Sequence, residues 1–476
     1  MNHSSSLSFD RRQFLAGCAG CAARLTCAGA AAALVPRMAP ARTPEAPPER
    51  PRLRLIFTHI VPEKPTWPYQ GFDYDGRKKE LTAALTKACP NIEFVPATAL
   101  NASDARKILL DDAEVDGYVV YMLGLWTGAG NVIAASGKPT LFVDDLYAGS
   151  GEFLISYAAA KRKGLKVAGI SSSRFEDVVQ GVRTFEATKK LRAATILDVV
   201  DRTPGTNAGA ITDVFGTTVK QIGSEEYNNF YARADKAQAS AWARKWMKGA
   251  QKVVEPTAEE IEKSGQIYVG MKDLMQEHGA DAITVDCLGL FYNGKAPAYP
   301  CLGFFQLNND GKVGACEADL QSTVTMLAIT YLTGKPGYIS DPVIDTSKNQ
   351  IIYAHCVASN KVHGPEGPTS TYYIRSHSED RKGASVRVLL PLNEMTTTLR
   401  FNPVTREVVF HQAKSVANID EDKACRTKLA AEVRDVRKLM EEWDRWGWHR
   451  VTFYGDLRQP VETISSLLGF KMVMEG

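Results

Sequence analysis

The chain has 476 residues, with 57 Lys plus Arg against 54 Asp plus Glu, a formal net charge of +3 and 44% hydrophobic residues. So even a balance excludes a broad basic face for nucleic acid or anionic lipid, and the length allows about two to four domains around sizeable cores. After the first fifty residues no apolar run reaches about twenty residues, which excludes a membrane-spanning helix.

Residues 1–50 read as an export leader and a tether. Asp10-Arg11-Arg12-Gln13-Phe14-Leu15 resembles a twin-arginine signal, an alanine-rich run follows, and Ala39-Pro40-Ala41 offers a small-residue cleavage site. The expected location is therefore periplasmic or secreted. Leu15-Ala16-Gly17-Cys18 mimics a lipobox and supplies the alternative of lipid attachment. Cleavage after Ala41 removes four arginines and one aspartate and leaves the remainder neutral. Residues 42–51 are a proline-rich linker.

From residue 51 the pattern becomes regular, and the fold class it predicts is α/β. Strands over 53–57, 92–95, 118–122, 139–143 and 166–170 alternate with helices such as 77–87 and 102–111. This spacing predicts a Rossmann-like parallel sheet over residues 51–190. Trp126, in the turn after the third strand, is a candidate to stack on a sugar, with core packing as its other role. A second α/β domain is expected over 191–342, with strands at 194–200 and 220–222. One long amphipathic helical region is expected from Ser224 to Val253. A helix from Pro256 to Gly279 follows, and then a strand ending at Asp286. That aspartate is a candidate substrate residue, although a strand-end aspartate is more commonly a turn former.

Residues 343–476 change character. Short alternating runs at 371–375, 384–390, 396–401 and 408–411, separated by turn residues, predict a mainly antiparallel, barrel-like C-terminal domain. A charged helix from Lys428 to Trp443 and a closing strand at 471–473 complete the expectation. Six cysteines remain beyond the leader (Cys89, Cys287, Cys301, Cys316, Cys356 and Cys425). None forms a CxxC pair, so neither a zinc ribbon nor a disulfide framework is indicated.

The chemistry concentrates between Cys316 and Cys356. Glu317 and Asp319 precede an apolar helical pattern at 320, 324, 326, 327, 329 and 332, where free N–H groups and the helix dipole favour negative charge. Capping is one use for these acids; holding a hard cation is another. Residues 336–340 read as a short buried strand with Asp341 at its C-terminal end, the edge of an α/β sheet where ligands sit. His355 ends the following strand.

The run CEADLQSTVTMLAITYLTGKPGYISD, followed by IIYAHC, resembles the L-fucose isomerase and L-arabinose isomerase superfamily, particularly its shorter fucose-isomerase-like branch. The segment around Trp446-Gly447-Trp448-His449-Arg450 and the tail after it are also similar. The resemblance implies a divalent metal, usually Mn²⁺, held by Glu317, Asp341 and His449, with both acids doubling as catalytic base and acid. It implies a substrate role for His355, two α/β domains with a β-rich C-terminal domain, and a homo-oligomer, trimer or hexamer. The expected activity is aldose–ketose isomerisation of a sugar through an enediolate. The alternatives are a non-catalytic periplasmic sugar-binding protein on the same scaffold and a metal-assisted lyase or epimerase acting on modified sugars.

Overall fold

Strands made of Val, Ile, Leu and Phe, buried on both faces, need helices above and below them, and the chain supplies both. The computed structural model describes residues 50–203 and 206–476; the leader and nearly all of the tether lie outside the described residues. The first sheet contains Arg52–Thr58, Glu93–Ala99, Gly117–Met122, Thr140–Asp144 and Val167–Ile170, all parallel. Its spatial order is second, first, third, fourth, fifth. Every residue of Gly117–Met122 is buried, as a central strand covered on both sides must be.

The 19-residue helix Phe175–Ala193 leads into a second parallel sheet. Here Val313–Cys316, Ala282–Val285, Thr195–Val199 and Thr218–Ile222 lie side by side in that order. The helix Leu320–Thr333 is buried from Leu320 through Thr330, so its apolar pattern reflects burial on all sides and not one packed stripe.

The third sheet is mainly antiparallel and partly ring-like. Its order runs Met395–Asn402, Arg450–Tyr454, Tyr338–Asp345, Gln350–His355, Thr427–Glu432, Glu407–Asn418 and Lys471–Met474. Met395–Asn402 also pairs with Glu407–Asn418, which closes six of these strands on themselves. Closure removes exposed strand edges. Lys471–Met474 adds to the outside in parallel. No helix among the described residues is long and apolar enough to cross a membrane.

The α/β class with a β-rich C-terminal portion is as expected; three local readings are corrected. The region 224–253 is two helices, Ser224–Arg233 and Lys236–Gly249, followed by the strand Lys252–Val253. Asp235 breaks it, because its carboxylate caps the second helix through the N–H groups of Ala237 and Gln238. The expected helix 428–443 begins as the strand Thr427–Glu432, and only Val436–Glu442 is α-helical. Its Lys-Leu-Ala-Ala-Glu composition favours helix, but pairing with Gln350–His355 on one side and Glu407–Asn418 on the other overrides that preference. Asp341 does not end a parallel strand. It lies within Tyr338–Asp345, in the antiparallel sheet.

Candidate metal centre

Sheet register gathers three side chains. Ser340 pairs with Arg450 on one side, and Asp341 pairs with Ala354 on the other. The strand bearing Asp341 therefore runs between the residue preceding Arg450, which is His449, and the residue following Ala354, which is His355. Two imidazoles thus flank one carboxylate. His355 is 2% exposed and His449 4%.

Glu317 arrives from the second parallel sheet. After the strand Val313–Cys316 the backbone turns left-handed at two consecutive non-glycine residues, Glu317 (φ 62°) and Ala318 (φ 50°). Such conformations cost on the order of 1 kcal/mol each and persist only where the surroundings impose them. Two contacts do so. The Ala318 N–H donates to the Val285 carbonyl at 3.0 Å. Asp319 then caps the buried helix, accepting from the Ser322 N–H at 3.0 Å and its hydroxyl at 2.8 Å.

The groups meet closely. His449 Nε2 is 3.4 Å from Glu317 Oε2 and 3.2 Å from Asp341 Oδ1. His355 Nε2 is 3.5 Å from Glu317 Oε1 and 3.9 Å from Asp341 Oδ2. His449 Nδ1 lies 3.0 Å from Asp319 Oδ2, and Arg400 donates to Asp319 Oδ1, Gln321 Oε1 and the His449 carbonyl at 3.0, 3.1 and 3.0 Å. The Trp448 indole N–H donates to Asp341 Oδ1 at 2.6 Å, and the Cys425 thiol to Asp341 Oδ2 at 3.7 Å.

The electrostatics follow from these contacts. Burial opposes charge on His449, but the carboxylates of Asp319, Asp341 and Glu317 beside it outweigh that and raise it well above 6.5. His355 is raised too, burial again losing to Glu317 and Asp341. Burial works against the carboxylates, yet His355 and His449 hold Glu317 well below the usual range and lower Asp341. Arg400 and His449 do the same for Asp319.

Nε2 of His449 and both ring nitrogens of His355 are nonetheless buried without a hydrogen bond of acceptable geometry. Buried polar atoms left open beside carboxylates are what a cation site requires. Two sets have donor atoms within 4.8 Å of one another: Asp341, His355 and His449, and Cys316, Glu317 and His355. Carboxylates with imidazole fit a divalent first-row metal. Neither set is the expected Glu317, Asp341 and His449 together: Glu317 and Asp341 fall in different sets, and His355, expected as a substrate residue, belongs to both.

The structure thus brings Glu317, Asp341, His449 and His355 together. Among the described residues, Asp286 and Trp126 share no hydrogen bond or ion pair with these four. Asp286 caps the helix Cys287–Tyr292 and pairs with Arg202 at 3.5 Å. Trp126 is 77% exposed beyond the C-terminal end of its strand in the first sheet. Sequence reasoning gave Asp319 capping or a hard cation as its uses, not the contact with His449, and did not find Arg400, Trp448 or Cys425. Arg400 reaches Asp319 across 81 residues, and no local pattern signals such a pairing.

No family model matches this chain. The chain is similar to sulfoquinovose isomerases from Priestia aryabhattai and Priestia megaterium, 25% identical over 192 residues, covering 38% of this chain and 42% of each relative. It is also similar to a sulfoquinovose isomerase from a Clostridium species, 23% identical over 313 residues, covering 60% of this chain and 66% of that relative. The matches thus span less than half of the Priestia enzymes and about two thirds of the clostridial one.

Proposed function

We propose that the protein is an exported, divalent-metal-dependent sugar isomerase that interconverts an aldose and a ketose, with Mn²⁺ as the preferred ion. The observation that carries this reading is the convergence of Glu317, Asp341, His449 and His355, each imidazole Nε2 lying 3.2–3.9 Å from an oxygen of both acids, from segments far apart in sequence. The relatives named sulfoquinovose isomerase support a sugar isomerase and suggest a sulfonated hexose as the first substrate to try. The twin-arginine leader supports export, and the family resemblance supports a homo-oligomer.

Isomerisation moves a proton between C1 and C2 through an enediolate. Bound by Glu317, Asp341 and His449, a divalent cation supplies Lewis-acid stabilisation of that charge. The chain's own groups do the rest. Glu317 and Asp341 are held ionised by their neighbours, so either carboxylate is available to take the proton from one carbon and, then protonated, to return that proton to the other. Asp319 accepts the Nδ1 proton of His449, which leaves Nε2 facing the two acids, protonated in the metal-free chain and free to serve as a ligand once that proton is displaced. Trp448 and Cys425 fix the rotamer of Asp341, and His355 is placed to orient a substrate hydroxyl.

The test is ketose formation from sulfoquinovose, pentoses and 6-deoxyhexoses, with added Mn²⁺ and with chelator. Turnover that depends on Mn²⁺ and disappears in Glu317→Gln is expected. Sugar binding without ketose formation in the wild type would replace the enzyme reading with that of a binding protein. A product other than the ketose would point to a lyase or epimerase.

A further inference from the structure

Beside the acids lies a pair of thiols that the isomerase chemistry does not use. Cys316 ends the strand Val313–Cys316 and Cys287 lies two residues past its parallel neighbour Ala282–Val285, with Val285 opposite Cys316. Their sulfur atoms are 3.2 Å apart, inside van der Waals contact, and the two residues are only 2% and 4% exposed. A disulfide needs about 2.05 Å, so closure requires an approach of roughly 1 Å, within the range of small side-chain rotations. The turn after Cys316 is already tied to the same strand by the Ala318 N–H bond to Val285.

We propose that Cys287 and Cys316 form a reversible intramolecular disulfide when the protein meets hydrogen peroxide. In the first step the Cys316 sulfur attacks one peroxide oxygen. An S–O bond forms, the O–O bond breaks, and the departing hydroxide takes the thiol proton to leave as water. In the second step the Cys287 sulfur attacks the resulting sulfenic acid. The S–S bond forms, the S–O bond breaks, and the second water carries away the Cys287 proton. Two thiols are oxidised, and one peroxide is reduced to two waters. The product ties the turn presenting Glu317 to the segment presenting Asp286. This inference rests on the sulfur geometry alone and stands whether or not the isomerase reading does.

The full chain is treated with hydrogen peroxide, its remaining thiols are alkylated, and the digest is examined by mass spectrometry with and without reduction. The expected result is one linked species joining the Cys287 and Cys316 peptides, lighter by two hydrogens than their sum and separated by reductant. It should be lost in both C287S and C316S. Recovery of both cysteines alkylated in the treated wild type, or of both as sulfinic acids without a link, overturns the proposal. So does linkage of either one to Cys301, Cys356 or Cys425.

Discussion

Asp319 shows how much one side chain can settle. One oxygen faces Arg400 and the Ser322 amide, the other His449 and the Ser322 hydroxyl, so the carboxylate joins a helix start to the imidazole of the proposed centre. Removing such an orienting carboxylate from a metal-bound histidine weakens metal binding about 10- to 100-fold. Asp319→Asn should lower Mn²⁺ affinity within that range by titration calorimetry, with the far-ultraviolet spectrum unchanged. Undiminished affinity would show that Asp319 serves only the helix. The two imidazoles give a pH signature. Their pKa values lie above 6.5 in the folded chain, so their ion pairs stabilise the metal-free protein fully below about that pH. That contribution is lost as pH rises through the raised values. Urea midpoints of metal-free protein should therefore fall as pH increases above 6.5, and saturating Mn²⁺ should flatten the slope, because the ion replaces the protons.

At the scale of single elements, legibility followed the range of the forces. The helix Leu320–Thr333 was readable because its signals are local: Asp319 at the start, an apolar run, and Gly334 at the end. Gly334 adopts φ +71° with nothing within 4 Å of a hypothetical Cβ, so its role is conformational. Gly334→Ala should destabilise by about 1 kcal/mol in denaturant unfolding, since a left-handed residue with a Cβ is strained whatever the space. The acids at 317 and 341 and the histidines at 355 and 449 were found from residue type, position and resemblance. What could not be read was the antiparallel ladder that brings them together. The strand Thr427–Glu432 carries a helix former's composition, and its partner Gln350–His355 lies more than seventy residues earlier. Arg400 was silent for the same reason: a buried arginine is specified by partners that only the finished sheet supplies.

On the scale of the whole molecule, the last residues lock the C-terminal sheet. Glu475 is 1% exposed and accepts from Arg450 Nε and Nη2 at 3.0 and 3.1 Å and from His411 Nδ1 at 2.9 Å. Arg450 itself is fully buried and also holds the carbonyls of Trp443, Gly447 and His449. Burial opposes the charge on Glu475, but His411 and Arg450 prevail and bring it down to about 2. Its contribution is thus present above the ordinary glutamate value of about 4.3 and is lost as pH falls toward 2. Glu475→Gln leaves Arg450 charged and underpartnered, a change that costs about 3 kcal/mol at neutral pH. The variant should also unfold with a shallower dependence on pH between about 4 and 2. An unchanged acid limb would mean that another carboxylate governs it.

The helix Arg458–Leu468 carries a further consequence. Leu467 sits wholly buried in the core of the first sheet, and Lys161 donates to Ser466 at 3.0 Å. The first sheet thus waits for a helix that lies far along the chain from it before its apolar surface is sealed. A nascent polypeptide halted before residue 458 would present that unsealed surface to chaperones and proteases. Quality control would then sense whether synthesis had passed that helix.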